Sequence, residues 1–172
     1  QVGTTGSQGY FSRIGAENEN NIIFAPGPYG ENEPVWQANS DGSNGPSGGW
    51  NFNLWPSQGF DHHKTYRLLC WFKQESGNGS CYLGCTSDSV STLQLNNQLY
   101  TNPYFWSGDL PANNKWFLVV GYVHGSGYTG NSSNLSGVYD PDTGKRVSPG
   151  SDFKFSTNAA KLMQRVYSYY AT

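Results

Sequence analysis

Charge is scarce in this chain. Of 172 residues, only 13% are Asp, Glu, Lys or Arg, against roughly 25% in ordinary soluble domains. Net charge is −2, and no basic run is longer than Lys145-Arg146. Nucleic acid is therefore excluded as the expected partner, because phosphate binding needs a concentrated positive patch. Long apolar runs are missing too. None approaches the roughly 20 residues of a spanning helix, so membrane insertion is not expected. Methionine is almost absent, with Met163 alone, and the chain starts at Gln1 without a signal peptide. Such a chain is expected to be a processed or excerpted piece whose targeting information lies elsewhere. The cysteines are only three, Cys70, Cys81 and Cys85. An odd number leaves at least one thiol unpaired within the chain. Cys70 bridged to Cys81 or Cys85 would staple a hairpin, and three buried thiols acting as small apolar residues would serve equally well. Their spacing fits no zinc template.

What the chain has in quantity is glycine, at 22 residues, and aromatic rings, at 6 Trp, 12 Tyr and 9 Phe. Rings stack on the apolar C–H faces of sugars, and neutral amides and hydroxyls pair with sugar hydroxyls. That composition suits a neutral glycan. Aromatic cores and Gly/Asn turns are equally the ordinary material of a β-sandwich.

Helical periodicity is nearly absent. Short apolar runs separated by Gly, Pro, Asn and Ser clusters at strand spacing predict an all-β antiparallel sandwich of the jelly-roll, lectin-like kind. Residues 1–20 read as a linker or an N-terminal strand region, and residues 21–172 as a single domain large enough to bury its own core. The strongest strand is Thr65 to Lys73, with Tyr66, Leu68, Cys70 and Phe72 facing the core. The turn from Glu75 to Gly79 is expected to return it into Ser80 to Cys85 as a hairpin. Lys115 to His124 is apolar on both faces, as a central strand should be. Asp140 to Gly144 reads as a turn between two short strands, and Leu162 to Tyr170 closes the chain.

Two segments resemble a known family. KTYRLLCWFKQ, Lys64 to Gln74, following the Gly48-Gly49-Trp50 segment, resembles the strand that begins the second half of many jelly-roll carbohydrate-binding modules. NPYFWSGDLPANNKWFLVVGYVHGSGYTG, Asn102 to Gly130, is similar to lectin-like adhesion domains of marine phage tail fibres and secreted bacterial proteins. So are YDPDTGKRV, Tyr139 to Val147, DFKF, Asp152 to Phe155, and RVYSYY, Arg165 to Tyr170. The resemblance covers roughly Asn21 to Tyr170. It implies attachment or glycan recognition on a larger extracellular or virion-surface protein. Similar domains continue past the last Tyr-rich strand, whereas this chain stops at Thr172, which leaves edge strands and oligomeric state open.

The candidate ligand-binding residues are aromatics beside Gly- or Pro-rich loops, where a ring is placed to meet a ligand. They are Trp106, Tyr128, Tyr104, Trp36 and Trp55, with Trp50 and Phe105 in similar positions. Asn102, Asp109, Arg67 and His124 would supply directional hydrogen bonds. Trp71 and Trp116, in the best strands, are assigned to the core. Asp140 and Asp142 in Asp-Pro-Asp-Thr-Gly resemble the opening of a calcium loop. The distal acid such loops need is lacking, and an ordinary turn explains the same residues. Structural calcium is expected, if anywhere, there or at Glu17, Glu19 and Asp152, the latter because similar domains tie an early strand to a late one through the ion. No strong strand carries the paired acids of a glycosidase. Glu17/Glu19 and Glu31/Glu33 sit in loop-like sequence, and Asp61-His62-His63 lacks a Ser or Cys elbow, so no catalytic residue is assigned. Asn78, Asn131 and Asn134 open glycosylation sequons. A non-catalytic glycan-binding domain is the first functional reading. A self-assembling subunit of a virion, filament or surface layer is the second, and a glycan-cleaving enzyme the third.

Overall fold

The computed structural model describes residues 3, 6, 9–43, 45–54, 60–77, 79–86 and 92–169. Almost all regular structure in them is strand, with one 3-10 turn at Glu17–Glu19. The strands are β1 (Phe11–Ile14), β2 (Asn20–Pro26), β3 (Asn32–Ala38), β4 (Pro46–Leu54), β5 (Tyr66–Lys73), β6 (Ser80–Thr86) and β7 (Thr92–Leu93). They continue as β8 (Tyr104–Gly108), β9 (Trp116–His124), β10 (Gly137–Tyr139), β11 (Arg146–Pro149), β12 (Phe153–Phe155) and β13 (Leu162–Tyr169). One sheet has the order β1-β4-β13-β6-β8. The other runs β11-β10-β9-β12-β7, with β5 also paired to β9. The β2–β3 hairpin forms a small third sheet. This is the all-β sandwich expected from the sequence, antiparallel except for the short pairing of β9 with β12.

The core lies between the two large sheets and follows from period-two alternation. Leu83, Cys85, Trp106, Leu162 and Val166 come from the five-stranded sheet; Leu68, Phe117, Val119, Val123, Val138, Phe153 and Phe155 come from the other. Tyr66, Cys70 and Phe72 pack against this cluster as the alternation of β5 requires. Strand β9 is the centre of its sheet, bonded to β5, β10 and β12, which explains its apolar residues on both faces. Gly121 in β9 is there for a steric reason. A Cβ would stand 2.0 Å from the Phe105 ring, so the bare backbone is what lets that ring lie against the sheet.

Several expectations need correction. The strands β5 and β6 do not form a hairpin: β5 pairs β9, whereas β6 pairs β13 and β8. The connection crosses the sandwich. Leu68 and Cys70 therefore meet Leu83 and Cys85 through the core rather than along a ladder. Gln74 shapes the crossing, its Nε2 donating to the Gly77 carbonyl at 2.9 Å. The segment Asn102 to Pro111, whose rings the sequence sets beside Gly- and Pro-rich loops, contains the strand β8. Trp71 and Trp116 lie outside the core. Trp71 packs edge-on to Tyr29 at the hairpin tip, and Trp116 Nε1 donates to the Pro26 carbonyl. They anchor the β2–β3 hairpin because they stand on the face of β5 and β9 that points away from the core.

Residues 11–14 are a strand, β1, at the edge of the five-stranded sheet, paired with β4 from Phe11↔Phe52 to Ile14↔Gly49. The three cysteines are unpaired thiols. Burial pushes the Cys70 thiol up to about 12 and the Cys81 thiol up to about 11, and raises Cys85 as well. All three stay protonated at neutral pH and are poor nucleophiles. No described helix is long and apolar enough to cross a membrane.

Candidate functional site

The strand β8 sends neighbouring rings to opposite sides of its sheet. Trp106 pairs with Leu83 and points into the core, 6% exposed, with Nε1 donating to Ser148 Oγ at 2.9 Å. This corrects its expected position at an exposed loop. Tyr104 pairs with Gly84 and points outward. Gly84 permits this: a Cβ there would meet Tyr104 Cδ1 at 2.8 Å, so the ring lies across bare backbone.

Beside Tyr104 the molecule opens a cleft of about 470 Å³. The rings of Tyr100 and Tyr104 line it, with the amide-bearing Gln94 and Asn96 and the hydroxyl-bearing Ser132 and Ser151. Phe153, in its floor, stacks on Tyr100 with centroids 5.3 Å apart. Asn96 is held in place by Gln98, whose Oε1 accepts from Asn96 Nδ2 and whose amide N–H donates to Asn96 Oδ1.

Asp152 also borders the cleft, but its carboxylate is turned inward. Oδ1 accepts from Ser136 Oγ at 2.5 Å; Oδ2 accepts from the Ser133 amide at 2.7 Å and meets His124 Nε2 at 2.9 Å. Burial pushes this carboxyl up, but the bonds from Ser136, His124 and Ser133 outweigh it and hold Asp152 below the ordinary aspartate value. Its charge is thus spent on structure, and the cleft offers a ligand aromatic, amide and hydroxyl groups. Behind it, Tyr128 stacks on His124 at 3.9 Å and 8°, its hydroxyl donating to the Asn131 carbonyl. The buried Lys154 donates to the Tyr128 carbonyl at 2.9 Å.

On the other side of Tyr104 lies a tyrosine cluster on the outer face of the five-stranded sheet. Tyr82 of β6 and Tyr167 of β13 are stacked at 4.8 Å and 3°, and Tyr104 stands edge-on to both. The hydroxyls of Tyr104 and Tyr167 are hydrogen-bonded at 2.5 Å. Desolvation and this bond raise the Tyr167 pKa, so the phenol stays neutral.

The residues singled out by sequence are thus dispersed. Tyr104 lines the cleft and Tyr128 lies behind it. Asn102 is exposed in the bend before β8, where its carbonyl accepts from the Tyr104 amide, and Asp109 is exposed just past β8. Trp36 is half-buried on the hairpin, donating to Asn20 Oδ1 and leaning on Trp50. Arg67 is exposed on the other sheet beside Tyr122, and His124 is buried. Trp55 and the Asn78 sequon lie outside the described residues. Tyr82, Tyr100, Tyr167, Gln94 and Asn96 escaped the sequence reading. The alternation Met163, Arg165, Tyr167, Tyr169 was the one available signal that tyrosines share a face.

Asp140 and Asp142 form the turn, and Lys115 Nζ stands 2.8 and 2.7 Å from their carboxylates. The lysine reaches both carboxylates because it stands at the entry to β9, beside the β10–β11 turn. Glu17 pairs with Arg13, and Glu19 is buried, accepting from the Ala16 amide. Among the described residues no group of three His, Cys, Asp or Glu side chains converges as metal ligands would. Ser126 Oγ reaches His62 Nδ1 at 2.9 Å, but Asp61 bonds the neighbouring imidazole, His63 Nδ1, at 3.0 Å. Serine and carboxylate therefore sit on different rings, and the relay of a hydrolytic triad is not assembled.

No family model, no curated protein and no solved structure matches the chain.

Proposed function

We propose that the chain is a glycan-binding attachment domain whose ligand lies in the cleft against Tyr100 and Tyr104. One observation carries this reading. Three aromatic rings, Tyr100, Tyr104 and Phe153, border an open cleft of about 470 Å³ whose lining also includes the amides of Gln94 and Asn96 and the hydroxyls of Ser132 and Ser151, while its one acid is turned inward. Rings offer flat apolar faces to sugar C–H groups. The amides of Gln94 and Asn96 supply both donors and acceptors for hydroxyls. A charged ligand would find no partner within the cleft, so the unit bound there is a neutral sugar. The setting that goes with such a domain is the outside of a cell or the surface of a virus particle.

Tyr100→Ala and Tyr104→Ala test the reading on immobilised neutral polysaccharides and a glycan array, with circular dichroism as the check on folding. Each is expected to weaken retention by about tenfold or more, as anchor aromatics do. If the folded wild-type chain is retained on no glycan, or both variants are retained like the wild type, the reading fails.

Self-assembly is a second reading, favoured by the outer face of the other sheet. There Leu69 is 42% exposed, and the hairpin adds Phe24 at 63% and Tyr29 at 81%. Exposed apolar rings of this kind mark contact surfaces. Sedimentation equilibrium of the purified chain separates the two readings, since assembly requires a concentration-dependent mass.

A further inference from the structure

Among the described residues, the outer face of the five-stranded sheet carries one charged side chain, Arg165, and no acid. Alternation puts Met163, Arg165, Tyr167 and Tyr169 on the side of β13 opposite the buried Leu162, Gln164 and Val166. Cross-strand register then builds two rows. One runs Asn51, Arg165, Gly84, Tyr104; the next runs Gly49, Tyr167, Tyr82, Ser107. Neighbouring strands are about 4.8 Å apart, so Arg165 stands roughly 10 Å across the sheet from Tyr104.

The guanidinium is held in place by a neutral partner. Arg165 Nε donates to Asn51 Oδ1 at 2.9 Å, which fixes the head and leaves the two terminal nitrogens uncommitted. No carboxylate among the described residues lies within ion-pairing distance of it. Arg165 precedes Tyr167 by two residues on the same face of β13, which sets it next to the tyrosine cluster. A fixed guanidinium with its outer N–H groups available matches two oxygens of one oxyanion.

We infer that the glycan bound through Tyr104 carries an acidic sugar, and that Arg165 holds its oxyanion, a uronate carboxylate or a sulfate ester, on the outer face of the sheet. The inference rests on the glycan reading and deepens it. The cleft takes a neutral unit, and the unit lying over Gly84 towards β13 carries the charge. The shared chemistry is a planar or trigonal set of oxygens accepting from the guanidinium fork. An ammonium in the same place would keep the charge and lose the two-point fit.

Affinity electrophoresis of the whole chain tests this with three polymers: neutral galactan, polygalacturonate and a sulfated galactan. The variants are Arg165→Gln, Arg165→Lys and Tyr104→Ala, and thermal melts check folding. The wild type is expected to bind one anionic polymer at least about tenfold more tightly than neutral galactan, and less tightly as salt is raised. Arg165→Gln removes that preference while keeping neutral binding; Arg165→Lys keeps part of it. Which anionic polymer is preferred distinguishes carboxylate from sulfate. If neutral galactan binds and neither anionic polymer is preferred, or if folded Arg165→Gln keeps the preference, the acidic-sugar inference is wrong while the cleft reading survives. If no polymer binds, both fall together.

Discussion

The two faces of the five-stranded sheet are made from the same strands and differ in every chemical respect. The inner face presents Leu83, Trp106, Leu162 and Val166, all buried. The outer face presents Tyr82, Tyr104, Arg165 and Tyr167, all half-buried and hydrogen-bonded or stacked among themselves or with Asn51. A step of one residue along β13, or of two along the bulged β8, passes from one set to the other. Strand parity therefore separates the packed residues from those that the proposed glycan reading uses. Damage to the first should appear in unfolding, and damage to the second in binding.

The largest expected effect is at Trp106. Replacing it with Ala empties a core site and strands Ser148 Oγ, at a cost of about 3–5 kcal/mol in urea unfolding. A loss below about 1 kcal/mol would mean that the ring is not part of the packed interior, and the contrast between the faces would collapse.

Asp152→Ala comes next. It removes the acceptor for Ser136 Oγ, the Ser133 amide and His124 Nε2, and should cost at least about 2 kcal/mol. The same group sets an acid limit. Its folded pKa lies below the unfolded value near 3.8, so its contribution is full above that value and is lost as pH falls through the lower folded one. Urea midpoints measured across that window should fall steeply for the wild type and more shallowly for Asp152→Asn. Equal slopes would remove Asp152 as the source.

Tyr104→Phe is a smaller probe. It deletes the bond to Tyr167 but keeps the ring, so unfolding should shift by only about 0.5–1.5 kcal/mol, and on the proposed reading glycan retention should be kept. A collapse of stability comparable to Trp106→Ala would show that the outer tyrosines are structural after all. The smallest effect belongs to Lys115→Met. Its ion pairs with Asp140 and Asp142 are at the surface and screened by water, so the melting temperature should not change measurably.

The contrast between the faces also explains what could be read in advance. The alternation of Tyr66, Leu68, Cys70 and Phe72 gave the inner face of β5 directly, and Lys115 to His124 declared itself a central strand by being apolar on both sides. Tryptophan was less readable. Trp71 and Trp116 sit in strong strands but on the outward face, where they hold the hairpin. Trp106 sits among Gly, Pro and Asn yet faces inward. Ring size and neighbouring residues do not reveal parity; the position of the bulge in β8 does, and it arises where β8 meets β6. The cleft was illegible for a related reason. Its walls come from residues 94–104, 132 and 150–153, brought together only when the loop before β12 bonds the Phe105 carbonyl through the Ser151 amide.

By itself the sequence determined an all-β chain, its core-facing residues in the long strands and the absence of a strongly charged surface. These follow from local period and composition, which need no knowledge of neighbours. Tertiary structure alone decided that β5 and β6 part company across the core, that Lys115 fills the space between two aspartates, and that Tyr104 stands between a neutral cleft and Arg165. Each depends on which distant strands pair and in what register, and that choice is made by the burial of the whole interior at once.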